Sequence, residues 1–287
     1  MQNIKQHLRL FTLLISLLVG STFYANAQKP EWSKPYKSFR IAGNLYYVGT
    51  YDLACYLITT PKGHTLINTA LDNTIPILRK NVEDLGFKFT DIKILLSSQA
   101  HFDHVGGMAG IQKLTKAKVM IDAADAPVMA DGGNSDYLFG GKGVGSLFKP
   151  VRVDRMLQDN DLITLGGMNI TFLHHPGHTK GASSYSFVVK DSARTYKVLI
   201  ANMPTILDST TVGMPSYPDV AKDFAYTLQS LKQQQFDLWL CAHASQFNLH
   251  KIRKESDGYN PQLFMDRKVY DEEVADLYEA YLKELGH

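Results

Sequence analysis

The stretch Ile92-Lys93-Ile94-Leu95-Leu96-Ser97-Ser98-Gln99-Ala100-His101-Phe102-Asp103-His104-Val105-Gly106-Gly107 decides how this chain is read. Ile92–Leu96 is a short apolar run of strand length, as expected of a buried strand. Two imidazoles and a carboxylate, His101, Asp103 and His104, then fall within four residues. That is a ligand set for a borderline-soft cation. In extended chain His101 and Asp103 point one way, and a turn can swing His104 alongside Asp103. Gly106 and Gly107 are expected to let the backbone turn sharply before a helix running to Lys116. Three ligand groups crowded into a pocket need a neutralising partner, so a metal is expected.

Two other places have the same flavour. His174-His175-Pro176-Gly177-His178-Thr179 is a histidine-rich turn after a strand, and His243 follows the strand-like run ending at Ala242. His64, His250 and His287 have no second ligand type beside them and are read as hydrogen-bonded or solvated side chains. Working outward, strand-like runs at Ile41–Val48, Ala54–Thr59 and Thr65–Asn68 are separated by Gly43, Gly49 and Pro61-Lys62-Gly63. Asn73 or Thr74 as cap, with Pro76 inside the first turn, predicts a helix reaching Leu85 and stopped by Gly86. Strand Lys118–Ile121 and a short helix around Ala123–Ala130 follow. Gly166-Gly167 predicts a hairpin between Leu162–Leu165 and Met168–Leu173, and Ser184–Val189 pairs with Lys197–Ala201. Val220, Phe224, Leu228 and Leu231 mark one helical face; Val274, Leu277, Tyr281 and Leu285 mark another that is expected to dock on the chain's own sheet. The fold class is α/β, in a single domain.

Composition narrows the function. The chain has 287 residues, 45% hydrophobic and 20% charged, with 30 Lys and Arg against 28 Asp and Glu. Residues 1–27 have the parts of a secretory signal: Lys5 and Arg9, the apolar run Leu10–Val19, and Ala25-Asn26-Ala27 as the cleavage site. The apolar run is about half of the ~20 residues a membrane span needs. The mature protein is expected to be Gln28–His287, exported to the periplasm and detached from the membrane. Without Lys5 and Arg9 the charges balance, so neither nucleic acid nor an anionic surface is an expected partner. Cys55 and Cys241 sit in apolar runs and are read as unpaired core thiols. A monomer is expected.

With these residues in hand, the chain resembles the metallo-β-lactamase superfamily over nearly all of its mature length. The resemblance is to the third subclass of class B enzymes and, within it, to the GOB type. It is carried by Gln99–Gly107, Phe39–Thr50, His174–Gly181, Ala201-Asn202-Met203-Pro204 and His243-Ala244-Ser245-Gln246-Phe247. It implies an αββα sandwich of two face-to-face mixed β-sheets with helices outside, and two zinc ions at one edge. The first zinc would take Gln99, His101 and His178; the second would take Asp103, His104 and His243. His174 and His175 match no ligand. The implied reaction is hydrolysis of the β-lactam amide of penicillins, cephalosporins and carbapenems by a metal-bound hydroxide that Asp103 orients, which would confer antibiotic resistance. Thr205 is a candidate for binding the substrate carboxylate.

Four features bear on that expectation. Gln99 stands where most members have histidine, and a neutral carboxamide is a poor zinc ligand, so the first site is expected to be weaker. Met203 stands where the subclass usually has serine and is read as pocket wall; Cys241 is read as outside the ligand set. The glycine-rich segment Asp131–Lys149 lacks either phosphate-binding pattern and is expected to be a mobile loop over the substrate. The rival within the fold is a thioester- or lactone-cleaving hydrolase. Those relatives place a metal-bridging aspartate where this chain has Ala201-Asn202-Met203. The rival from another class is an exported binding protein that has lost catalysis.

Overall fold

A computed structural model describes residues 29–141, 147–192, 194–206 and 214–286. The expected signal, residues 1–27, lies outside the described residues, as do His287 and the loop glycines Gly143 and Gly145.

Strand pairing follows the glycine and proline breaks. β1 (Phe39–Ala42), β2 (Leu45–Tyr47), β3 (Tyr56–Thr60) and β4 (Gly63–Ile67) form an antiparallel meander. Gly43, at φ +53°, splits the run Ile41–Val48 into β1 and β2. β5 (Ile92–Leu96), β6 (Lys118–Asp122) and β7 (Arg155–Leu157) then add in parallel. Parallel neighbours need crossovers, which the helices Ile75–Asp84 and Met108–Thr115 supply. The second sheet holds β8 (Leu162–Leu165), β9 (Met168–His174), β10 (Ser183–Lys190) and β11 (Thr195–Ala201) in antiparallel order. β12 (Leu238–Cys241) joins it parallel to β11.

Alternation along the strands separates two apolar layers. Tyr56, Ile58, Ile67 and Leu96 face the second sheet and meet Phe172, Tyr185, Val198 and Ile200 in the central core. Leu57, Leu66 and Leu95 face the other way and pack with Leu78, Val82, Met108 and Ile111 of the covering helices. On the far side, the helices Val220–Gln233 and Arg267–Glu284 bring Leu231 and Tyr270 against the second sheet, where the Tyr270 hydroxyl donates to the Leu231 carbonyl at 2.8 Å. The result is the expected αββα sandwich. Both cysteines are buried with free thiols. Among the described residues no helix is long and apolar enough to cross a membrane.

The two sheets are joined at one end. Leu53 bridges His243 in antiparallel fashion, and the Ala54 amide donates to the Ala242 carbonyl at 3.0 Å. The polar residues converge at that end.

Candidate metal centre

Four connections, after β5, β9, β11 and β12, line one cavity of about 350 Å³. It is walled by Gln99, His101, Asp103, His104, His178 and His243, with Asn202, Met203 and Thr205 beside them. Each ligand candidate is held by local structure. Asn68, at φ +62°, accepts from the Ser98 amide at 2.9 Å and fixes the exit of β5. His101 is the last extended residue, at ψ 151°, before the helical turn Phe102–Val105 that carries Asp103 and His104. Gly106 and Gly107 do not serve a sharp turn, as the sequence had suggested: Gly106 (φ −54°) and Gly107 (φ −80°) lie in ordinary helical backbone. They are required by close packing. A Cβ on Gly106 would sit 3.0 Å from the Ala70 carbonyl oxygen, and one on Gly107 would sit 2.6 Å from that of Thr69.

The histidine-rich turn is fixed differently. Gly177 adopts φ +129°, a region other residues rarely enter, and a Cβ there would sit 3.0 Å from the Phe224 ring. The Thr227 hydroxyl donates to the Pro176 carbonyl at 2.6 Å. A buried carboxylate then joins this turn to the first: Asp125 accepts from the Ala100 amide (2.9 Å), the Thr179 hydroxyl (2.8 Å) and the Gly181 amide (2.9 Å). Burial raises its pKa to about 6.

The second donor set is drawn together closely. Asp103 Oδ2 lies 3.3 Å from His104 Nε2 and 3.4 Å from His243 Nε2, and the three ligand atoms fall within 4.8 Å of one another. Burial alone would raise the Asp103 carboxyl, yet His104 and His243 hold it well below the usual carboxylate range. Burial lowers the His104 pKa. His243 is opposed by burial but carried up to about 9 by Asp103 and Asp52. Asp52 accepts from His243 Nδ1 at 3.0 Å, which leaves Nε2 for the cavity. The Trp32 indole (3.2 Å) and the Ser245 amide (3.0 Å) also donate to Asp52.

The first set is looser. The His101 and His178 rings stand 5.0 Å apart at 73°, and Gln99, buried, lines the same cavity. His178 Nδ1 donates to the Thr205 carbonyl at 2.6 Å, so Thr205 meets the site through its backbone as well as its exposed side chain. Burial first, and His101 second, push the His178 pKa down to about 3. A neutral imidazole is the form that binds a metal.

These residues fit a divalent cation. His104 Nε2 is buried with no well-formed hydrogen bond, and Asp103 among the converging imidazoles of His104 and His243 makes a zinc donor set. Other sequence candidates lie elsewhere. His174 Nδ1 meets Asp122 at 2.7 Å, while His175 bonds the hydroxyls of Ser184 (2.7 Å) and Ser230 (2.9 Å). His64 is buried in edge contact with Phe87, and His250 stacks on Tyr51. Cys241 is fully buried away from the cavity.

Sequence reasoning missed Asp52, Asp125, Asn202 and Asp136. Asp52 left a trace, being the sole acid between Phe39 and Leu71. Asn202 lines the cavity and its buried Nδ2 has no partner, a fact no sequence pattern carries.

Residues 49–192 match the profile of the metallo-beta-lactamase superfamily. Three solved structures share the fold closely. A beta-lactamase from Chitinophaga pinensis is 54% identical, with a TM-score of 0.89 over 91% of this chain and 98% of that one. The class B3 di-zinc metallo-beta-lactamase LRA-12 from an Alaskan soil metagenome is 56% identical, with a TM-score of 0.88 over 90% and 97%. GOB-18 from Elizabethkingia meningoseptica is 49% identical, with a TM-score of 0.87 over 90% and 96%. Curated relatives are more distant. Acyl-coenzyme A thioesterase MBLAC2 of Gallus gallus is 26% identical over 61% of this chain, which spans 65% of that relative's length. Fold, cavity and likeness agree, and the chain belongs to the metallo-β-lactamase superfamily, on the side of its class B3 enzymes.

Proposed function

We propose that this protein is a zinc-dependent hydrolase that opens the amide bond of β-lactam antibiotics. The observation that carries the reading is the convergence of Asp103, His104 and His243 on one cavity with Gln99, His101 and His178. It is supported by 56% identity to a class B3 di-zinc enzyme across 97% of that enzyme's length. Asp103, His104 and His243 would hold one zinc, and Gln99, His101 and His178 the other. Bound zinc supplies a Lewis acid and lowers the pKa of water towards about 7.

The chain's own groups do the rest. In the overall reaction, water adds to the lactam carbonyl carbon, the C–N bond breaks and the ring nitrogen gains a proton. Asp103, ionised at neutral pH, accepts a hydrogen bond from the attacking water and orients it. Asp52 and the Thr205 carbonyl each take the Nδ1–H of a histidine, so Nε2 faces the cavity in both; His178 offers it unprotonated, and His243 would give up its Nε2 proton to a bound metal. The unpartnered Asn202 Nδ2 is a donor for a substrate oxygen, and the Thr205 hydroxyl is a second candidate, for the carboxylate. The strand end Ala201-Asn202-Met203, where thioester-cleaving relatives carry a bridging aspartate, has no carboxylate, which favours a lactam over a thioester.

Lys5, Arg9, the apolar run Leu10–Val19 and Ala25-Asn26-Ala27 support export, and we propose that the mature chain, Gln28–His287, acts in the periplasm.

The test is imipenem hydrolysis by the purified mature protein before and after chelation, then with zinc restored. Turnover should vanish with the metal and return with it. Bound zinc without turnover would move the assignment to a thioester or lactone. Neither zinc nor turnover would leave a binding protein.

A further inference from the structure

The donor set around Gln99 has no charge of its own. Gln99, His101 and His178 are neutral ligands, whereas the other set contains Asp103. A dication held by three neutral groups in a buried site needs a compensating carboxylate close by. One is present, and it comes from the segment after the helix Ala126–Ala130. Asp136 is 7% exposed, and its Oδ2 stands 3.3 Å from His101 Nε2. Its other oxygen, Oδ1, accepts from the amides of Leu138 (2.9 Å) and Phe139 (2.7 Å), so the carboxylate is aimed by its own turn. The next two side chains reach the same pair of histidines. The Tyr137 hydroxyl donates to the His178 carbonyl at 3.0 Å, and the Phe139 ring meets the His101 ring at 5.1 Å.

We infer that Asp136 is a positioning residue for the Gln99 site: it takes the Nε2–H of His101, which leaves Nδ1 as the nitrogen that binds metal, and it supplies the negative charge that Gln99 does not. The inference rests on the zinc reading above and names the part of the chain that makes that site usable. A histidine donates through one nitrogen and binds metal through the other, so the partner of Nε2 dictates the ligand atom. The turn Asp136–Phe139 thereby couples the glycine-rich segment to metal occupancy.

Asp136→Asn tests this without disturbing the turn, because Asn Oδ1 can still accept from Leu138 and Phe139. Its amide presents N–H where Oδ2 stood, so the favoured His101 tautomer reverses to Nδ1–H. Long-range ¹H–¹⁵N spectra of the metal-free protein at alkaline pH should show the Nε2–H form for His101 in the wild type and the Nδ1–H form in the variant. Zinc titration should show first-site affinity lowered on the order of 10–100-fold, with the second site unchanged. Asp136→Glu should recover part of the loss. An unchanged tautomer, or unchanged affinity at both sites, would overturn the inference. A loss at both sites alike, with a lowered thermal midpoint, would make Asp136 merely structural and overturn it as well. Wild-type protein that binds no zinc would instead bring down the functional reading on which it rests.

Discussion

Zinc prefers an imidazole nitrogen to a carboxamide oxygen, so Gln99 sets the weaker half of the proposed centre. Gln99→His should tighten first-site zinc by about 1.4 kcal/mol, roughly tenfold. Titration against a chelating dye reads this directly, and unchanged affinity would take Gln99 out of the donor set. Asp52 acts on the other half. It holds His243 Nδ1 at 3.0 Å from 191 positions away in the chain. Asp52→Asn should weaken second-site zinc on the order of 10–100-fold while the first site keeps its affinity. Equal loss at both sites would mean that the change had acted on folding. The contrast between Gln99 and Asp52 marks what was legible at this scale. Ligand types crowd together in the sequence because one strand end carries them, so Gln99–His104 could be read. Asp52, Asp125 and Asp136 reach their histidines or turns only through tertiary contact, and a lone acid says nothing of its partner.

At the scale of elements, the strands were legible because their apolar residues alternate or run unbroken between glycine and proline breaks. β7 was not: it has three residues, and Met156 at its centre is 64% exposed, so it carries no pattern. Glycines were read for the wrong property. Gly106 and Gly107 looked like a turn, but what they provide is room for two backbones to touch. Gly181 makes the same point with a measurable consequence. A Cβ there would lie 2.6 Å from the Asp125 amide nitrogen and 2.7 Å from its Cβ. Asp125 is the clasp between the Gln99–His101 strand end and the His178 turn, so Gly181→Ala should push the two apart. The expected cost is about 1–3 kcal/mol, the usual range for overpacking, with first-site zinc weakened in parallel. Urea melts of the metal-free protein give the first quantity and dye competition the second. A stable variant with native zinc affinity would show that the clasp is dispensable.

The whole molecule is two sheets pressed together, joined at the metal end through Leu53 and His243. A second polar tie links β6 of one sheet to β9 of the other, where His174 Nδ1 meets Asp122 Oδ2 at 2.7 Å. Asp122 is buried and His174 is about one third exposed, so the tie lies at the rim of the interface. It is four residues from the nearest proposed ligand, His178, and its titration can be followed with the metal in place. Burial pulls the His174 pKa down, but the bond and charge of Asp122, with smaller help from Asp159 and Asp223, carry it above its ordinary 6.5. A histidine whose folded pKa is raised stabilises the fold fully below the unfolded value of about 6.5. That contribution fades as pH climbs through the higher folded value, because the folded protein then gives up a proton the unfolded chain has already lost. Zinc-saturated wild type should therefore be more stable than His174→Gln at pH 6, and the gap should shrink steadily on the alkaline side. Asp122→Asn should flatten the same pH dependence, since it removes the main cause of the shift. Urea midpoints across a pH series measure the gap. A gap that stayed constant or widened with pH would mean that the imidazole ties the sheets as a neutral hydrogen-bond donor and that its charge contributes nothing.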